Sequence, residues 1–303
     1  MNPLNKVRLI KLLFILVIVG LSHSCKKTPA EEPGFSFAFL TDIHVQPEIR
    51  ATEGLKAAIA KVNELKPDFV ITGGDLIMDA LAQTFGRADS LYNLYVETAR
   101  GFNMPVHNTM GNHEVFGYYE ESGVDSSHPL YGDRMFEERL GKRYYVFEFN
   151  GWRFYILDSI DEWEEGGYYG YIDQEQVAWL KEDLAGVDPE TPIIISIHIP
   201  LLTVQTQIHE GSTAPNSMGS VITNSREVLE VFNGHNLRLV LQGHLHAYED
   251  IYVNGIHFIT GGAVSGKWWS GPRFGMEEGF LMVHVSGDEI KSEYIDYGWK
   301  VEE

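Results

Sequence analysis

The 303-residue chain predicts an α/β fold in which mixed strands, with helices between them, build a sandwich rather than a simple doubly wound sheet. Three observations carry that expectation. Five apolar runs with strand character each end in a polar cluster. A helical stripe separates the first two runs, and two Asn-Gly pairs mark hairpins later in the chain.

In order, Phe35–Leu40 reads as a buried strand running into Thr41-Asp42-Ile43-His44. Residues 52–65 carry Leu55, Ala58, Ile59, Val62 and Leu65 at helical spacing, and Pro67 closes the helix. Residues 69–71 lead to Gly73-Gly74-Asp75 and complete a β-α-β unit. A helix over 90–99 is expected before the strand 105–109, which runs into Gly111-Asn112-His113-Glu114. Segments 144–149 and 153–157 flank Asn150-Gly151, the strongest hairpin signal in the chain. Gln174–Leu184 and 226–232 read as helices. The strand 193–197 meets His198, and the strand 237–241 meets Gly243-His244-Leu245-His246. Strands 250–253 and 256–260 around Asn254-Gly255, then 279–285 and 289–295, close the chain. Segments 115–134 and 201–224 have no regular pattern and each follows a polar cluster. They are expected as lids or binding loops, or else as surface insertions; His209 lies in the second.

Five polar clusters at the carboxyl ends of five strands would converge on one edge of a sheet. Their ligand types are imidazole, carboxylate and one amide, with no thiolate, which suits two hard or borderline divalent metals. Net charge is −20, so bulk nucleic acid is not expected as a partner, given long-range repulsion. A small phosphorylated molecule is not disfavoured in this way, because metal ions reverse the local field. An apolar fraction of 44% is ordinary for a globular chain with a sizeable core.

The amino terminus differs from the rest. Lys6, Arg8 and Lys11 precede the apolar run 12–21, the layout of an export signal, with an uncleaved membrane anchor as the alternative. The single cysteine, Cys25, follows in Leu21-Ser22-His23-Ser24-Cys25, which resembles the bacterial lipoprotein signal. That resemblance implies a signal peptide over 1–24, a lipid-modified Cys25 with a polar tether over 25–34, and one domain over 35–303. The protein would then be exported and held at the bacterial cell envelope through lipid. With no other cysteine, the domain has no disulfide to make.

Asp-x-His, Gly-Asp, Gly-Asn-His-Glu, His and Gly-His-x-His, present in that order, resemble the calcineurin-like metallophosphoesterases over most of the chain after the signal. The resemblance implies two mixed β-sheets packed as a four-layer sandwich flanked by helices, and hydrolysis of a phosphomonoester or phosphodiester. It assigns Asp42, His44 and His246 to one metal and Asn112, His198 and His244 to a second, with Asp75 bridging; manganese, iron or zinc would fit. His113 would protonate the leaving alcohol, oriented in family phosphatases by an aspartate three residues after the bridging one. Met78 occupies that place, and Asp79, one residue further on, is expected to orient His113 if the backbone bends. Met78 also stands where purple acid phosphatases carry an iron-binding tyrosine, which argues against that branch. A catalytically silent phosphate- or partner-binding lipoprotein on the same fold is the alternative function. For substrate contacts the sequence offers Tyr118 and Tyr119 after the catalytic block, and Lys267, Trp268, Trp269 and Arg273 near the end, with core or lid packing as the other reading of the aromatics.

Overall fold

The computed structural model describes residues 34–301. The signal segment, Cys25 and all but the last residue of the tether lie outside the described residues. Among the described residues no helix is long and apolar enough to cross a membrane.

Strand β1 (Phe35–Leu40) shows how the layers arise. Its period of two sends Phe35, Phe37 and Phe39 to one face and Ala38 and Leu40 to the other, and both faces are buried. The first set joins Phe69, Trp152, Phe154, Leu239 and Leu281 in an aromatic-rich core between two sheets. The second set packs under helices. β1 pairs in parallel with β2 (Phe69–Thr72), and β2 with β3 (Val106–Asn108). The carboxyl-terminal hairpin β12 (Gly279–Ser286) and β13 (Glu289–Asp296) adds antiparallel to β1, giving the order β13-β12-β1-β2-β3.

The second sheet repeats the plan. Its parallel centre is β11 (Ile256–Gly261), β9 (Asn236–Gln242), β8 (Pro192–Ser196) and β5 (Trp152–Ile156). Antiparallel edges β10 (Tyr248–Val253) and β4 (Tyr145–Phe149) complete it. Helices α1 (Ala51–Leu65) and α2 (Phe85–Ala99) bury Leu55, Val62, Leu91 and Tyr92 on the outside of the first sheet. Helices α4 (Gln174–Leu184) and α6 (Ser225–Val231) bury Val177, Leu180 and Val228 on the second. The result is a four-layer α/β sandwich, as the sequence predicts. Both hairpin pairs Asn150-Gly151 and Asn254-Gly255 have positive φ at both residues, which is what a two-residue primed turn needs.

The structure adds elements that periodicity does not announce. Helix α2 starts at Phe85 rather than at residue 90; its first turn holds Gly86 and an exposed Phe85 and buries only the small Ala88. Helix α3 (Arg134–Leu140) and the three-residue strands β6 (Ile160–Glu162) and β7 (Tyr168–Gly170) are too short to show a period. Helix α5 (Gln205–Glu210) lies within 201–224 and has no buried residue. That segment is nonetheless tied down: Ile222 is buried, and Thr223 N–H donates to the Gly170 carbonyl at 2.8 Å.

Candidate metal centre

The loops after β1, β2, β3, β8 and β9 meet at the carboxyl ends of the parallel strands, where open α/β sheets place their ligands. Asp42, His44, Asp75, Asn112, His198 and His246 are buried there, and His244 partly so. Five of these residues have left-handed backbone: φ is 55° at Asp42, 48° at His44, 53° at Asp75, 72° at His244 and 51° at His246. Each such non-glycine residue costs on the order of 1–3 kcal/mol, so their concentration at one spot marks a site the rest of the fold must hold in place. Glycines admit the close approach: a Cβ on Gly111 would lie 2.2 Å from the Asp75 nitrogen, and one on Gly243 2.0 Å from Thr41 Oγ1.

Three sets of donors crowd together here, and the third, His44, Asp75 and His113, links the other two through His44 and Asp75. Asp42, His44 and His246 form the first, with Nε2 of the two imidazoles 3.0 Å apart and Asp42 Oδ1 3.3 Å from His246 Nε2. Asp75, His198 and His244 form the second, and Asn112 Oδ1 lies 3.0 Å from His244 Nδ1. Asp75 Oδ2 stands 3.1 Å from His198 Nε2 and 3.5 Å from His44 Nε2, between the two. Ring tautomers follow from the outer hydrogen bonds. His198 Nδ1 donates to the Gly73 carbonyl at 2.7 Å and His246 Nδ1 to the Gly266 carbonyl at 2.6 Å, which leaves each Nε2 facing inward.

Electrostatics agree with a cation site. Burial and the neighbouring His198 push the His244 imidazole down to about 3, and burial and His113 hold His44 well below the ordinary range. Burial pushes Asp75 up, but the charges of His198 and His113 outweigh it and leave its carboxyl well below the usual range. Burial opposes a charged His198, yet Asp75 raises it to about 9. Burial holds the Asp42 carboxyl above its usual range, and imidazoles crowded around the ionised Asp75 suit a divalent ion, which would displace the His198 proton on binding. The donor set therefore fits the metals that the sequence resemblance implies.

His113 sits beside both groups, its ring edge-on to His44 at 4.6 Å and its Nε2 3.9 Å from Asp75 Oδ2. Its Nδ1 lies 2.5 Å from the Met78 carbonyl, an acceptor only, so Nδ1 carries a proton and Nε2 faces the site. Asp79 does not take the orienting role proposed for it. Its Oδ1 is 3.9 Å from His113 Nδ1, and its carboxylate is occupied by Leu81 N–H, Ala82 N–H and Gln83 Nε2 in the following turn.

Glu114 has a role that the sequence reading did not assign. Fully buried, it accepts from the backbone N–H groups of Asp75, Leu76, Ile77 and Gly111 at 2.8–3.1 Å, tying the loop of the shared carboxylate to the loop of Asn112. Its place next to His113 was the available signal. Tyr168 was also missed: its ring stands edge-on to His244 at 6.2 Å, and nothing local in the sequence singles it out.

The substrate candidates separate. Trp269 is 1% exposed, donates from Nε1 to the His44 carbonyl at 3.0 Å and packs on Trp299, so it supports the site and cannot meet substrate. Tyr118 packs against Tyr131, with its carbonyl accepting from Gly167 N–H, and is a packing residue too. Tyr119 is half-exposed against Gly167, and Lys267 is exposed. Trp268 lies at the centre, 4.6 Å from the His246 ring and 6.1 Å from His44, and Arg273 stacks on it at 4.7 Å.

A sandwich of two mixed sheets that delivers Asp, His and Asn donors to one edge defines a metallophosphoesterase. The family model described as calcineurin-like phosphoesterase matches residues 35–248, and the chain belongs to that family. Among the curated relatives, a 3′,5′-cyclic adenosine monophosphate phosphodiesterase of Haemophilus influenzae is 25% identical over 237 residues, covering 75% of each chain. A probable cyclic nucleotide phosphodiesterase of Xenorhabdus bovienii is 22% identical over 204 residues, 67% of this chain and 71% of that one. Purple acid phosphatase 22 of Arabidopsis thaliana is 25% identical over 228 residues, 72% of this chain, which spans only about half (48%) of that protein. In fold, a dimetal phosphatase from Danio rerio superposes with a TM-score of 0.58 at 16% identity, covering 87% of this chain and 99% of that one.

Proposed function

We propose that the protein hydrolyses a small phosphate ester with two divalent metal ions. Asp42, His44 and His246 would hold one ion, and Asn112, His198 and His244 the other, with Asp75 shared. The observation that carries this reading is the position of Asp75 Oδ2 between His198 and His44, members of the two groups. Bound there, the ions would supply a nucleophile at neutral pH and neutralise phosphoryl charge. The chain's own residues do the rest. Asn112 adds a neutral oxygen, which limits the negative charge that meets a phosphate. His113, fixed by the Met78 carbonyl, presents Nε2 as the atom that donates a proton to the leaving oxygen.

A silent binding protein on this fold is the other reading; the complete set of candidate ligands and the inward-facing Nε2 of His113 speak for the enzyme. Manganese, iron(II) and zinc all suit mixed nitrogen and oxygen donors. The acidic chain supports a small substrate rather than nucleic acid. Export and lipid attachment at Cys25 remain part of the proposal, resting on the amino-terminal sequence alone.

The test is a panel of mono- and diesters and cyclic nucleotides with purified, metal-loaded protein, followed by His113→Ala. That variant should keep its metals and lose on the order of 10²–10⁴ in kcat with an alkoxide leaving group. With nitrophenolate, which departs without a proton, the loss should be far smaller. No turnover of any ester by metal-loaded protein refutes the enzyme; equal losses on both leaving groups refute the role of His113, and loss of a metal makes it a ligand.

A further inference from the structure

Arg273 lies in the loop between β11 and β12, beyond the stretch matched by the family model. It differs from the other half-buried arginines. Arg143 is held by Asp158 and Asp173 at 2.7 and 2.6 Å, and Arg153 by Asp183 at 2.7 Å. Arg273 has no carboxylate at ion-pair distance among the described residues, in a chain whose acidic residues outnumber its basic ones 43 to 23. Its Cζ lies 4.7 Å from the centre of Trp268 and 4.8 Å from that of Phe274. Its Nε is buried without a hydrogen-bond partner.

A guanidinium laid against aromatic rings by its flat surface keeps its in-plane N–H edge for an acceptor, and that edge matches two oxygens of a phosphate. Trp268 touches both the Arg273 guanidinium and the His246 imidazole, and the Asp42 charge acts on Arg273, so the cation stands beside the first donor group. Both tryptophans of the pair have left-handed backbone, φ 47° at Trp268 and 66° at Trp269, and this turn sends Trp269 inward under His44 while Trp268 stays at the mouth. Phe274, 56% exposed, stacks with the His209 ring at 4.6 Å, which joins α5 to the same wall. The segment 201–224 thus supports the residue beside the metal centre.

We propose that Arg273 receives a non-bridging oxygen of the reacting phosphoryl group and makes the site prefer the dianionic phosphate of a monoester to the monoanionic phosphate of a diester. The inference rests on the phosphoesterase reading and adds the substrate class that reading leaves open. A diester has one fewer charged oxygen for the guanidinium and carries a second substituent in its place.

The experiment compares wild type, Arg273→Met and Arg273→Lys, all metal-loaded, on 4-nitrophenyl phosphate and bis(4-nitrophenyl) phosphate, which share a leaving group. Methionine keeps an apolar filler between the rings and removes the charge. Its kcat/KM should fall about 10- to 100-fold on the monoester, the range expected for a lost charge-assisted hydrogen bond, and less than about 3-fold on the diester. Lysine should recover part of the loss. Melting temperature and metal content should match wild type. Inorganic phosphate, titrated calorimetrically, should bind the methionine variant more weakly by the same factor as the monoester loss. Equal losses on the two esters, no loss on the monoester, or unchanged phosphate affinity would overturn the assignment. If wild type turned over neither ester, the phosphoesterase reading would fail, while the calorimetric comparison would still decide whether Arg273 holds an oxyanion.

Discussion

Replacing Glu114 with Gln tests how the centre is held. Each oxygen of Glu114 accepts two backbone N–H groups: Oε1 takes Leu76 and Ile77, and Oε2 takes Asp75 and Gly111. An amide keeps one oxygen and turns its NH₂ toward the other pair, so two buried N–H groups lose their acceptor. Each unsatisfied buried group costs about 1–3 kcal/mol, which puts the change at about 2–6 kcal/mol. That is a large part of a net stability of about 5–15 kcal/mol. For a domain of this size it corresponds to a drop of about 4–15 °C in Tm. Burial and the charge of Asp75 push Glu114 up to about 7, so the comparison belongs at pH 8, where the group is a carboxylate. Metal affinity should fall as well, because Asp75 and Asn112 share the tie. The assay is thermal unfolding of metal-free and metal-loaded protein, with elemental analysis of each. A variant that melts within a degree of wild type and keeps its metals would show that the four hydrogen bonds do not anchor the site.

Asp75→Ala should lower occupancy at both metal positions by elemental analysis; one tightly held ion that survives the change would defeat the shared-carboxylate arrangement. Asp133 is pushed up to about 6 by burial, against the opposing charge of Arg143 at 3.6 Å and with help from Asp161 and Glu137. The folded protein then binds more protons than the unfolded chain between about pH 4 and pH 6, so stability falls as pH rises through that window. Asp133→Asn should remove about 1–2 kcal/mol of that slope and raise Tm at pH 7, and parallel Tm–pH curves for the two proteins would refute it. Cys25→Ser should leave an unprocessed or soluble form in cell fractionation, since anchoring through lipid needs the modified thiol. A variant that matures and fractionates like wild type would replace lipid attachment with simple secretion.

Reading the chain without coordinates locates most strands, the two Asn-Gly hairpins and every member of the two donor groups. These features are local: a period of two or 3.6, a turn that needs positive φ, and donor residues placed directly after apolar runs. Parallel strands deliver their carboxyl ends to one edge, which brings the clusters together; the resemblance to the metallophosphoesterases assigned each donor its place. What tertiary structure alone decides is which neighbour each side chain meets. Adjacent Trp268 and Trp269 are equivalent as letters, yet one lines the site and the other is buried above Gly54, more than two hundred positions away in sequence. Asp79 is the natural candidate to orient His113, yet the Met78 carbonyl does so, because the turn after Asp75 spends the Asp79 carboxylate on its own N–H groups. Glu114 sits in plain view beside His113, but its four donors come from two loops brought together only when β2 and β3 pair. Periodicity records which face of an element is buried; it carries no record of what that face is buried against.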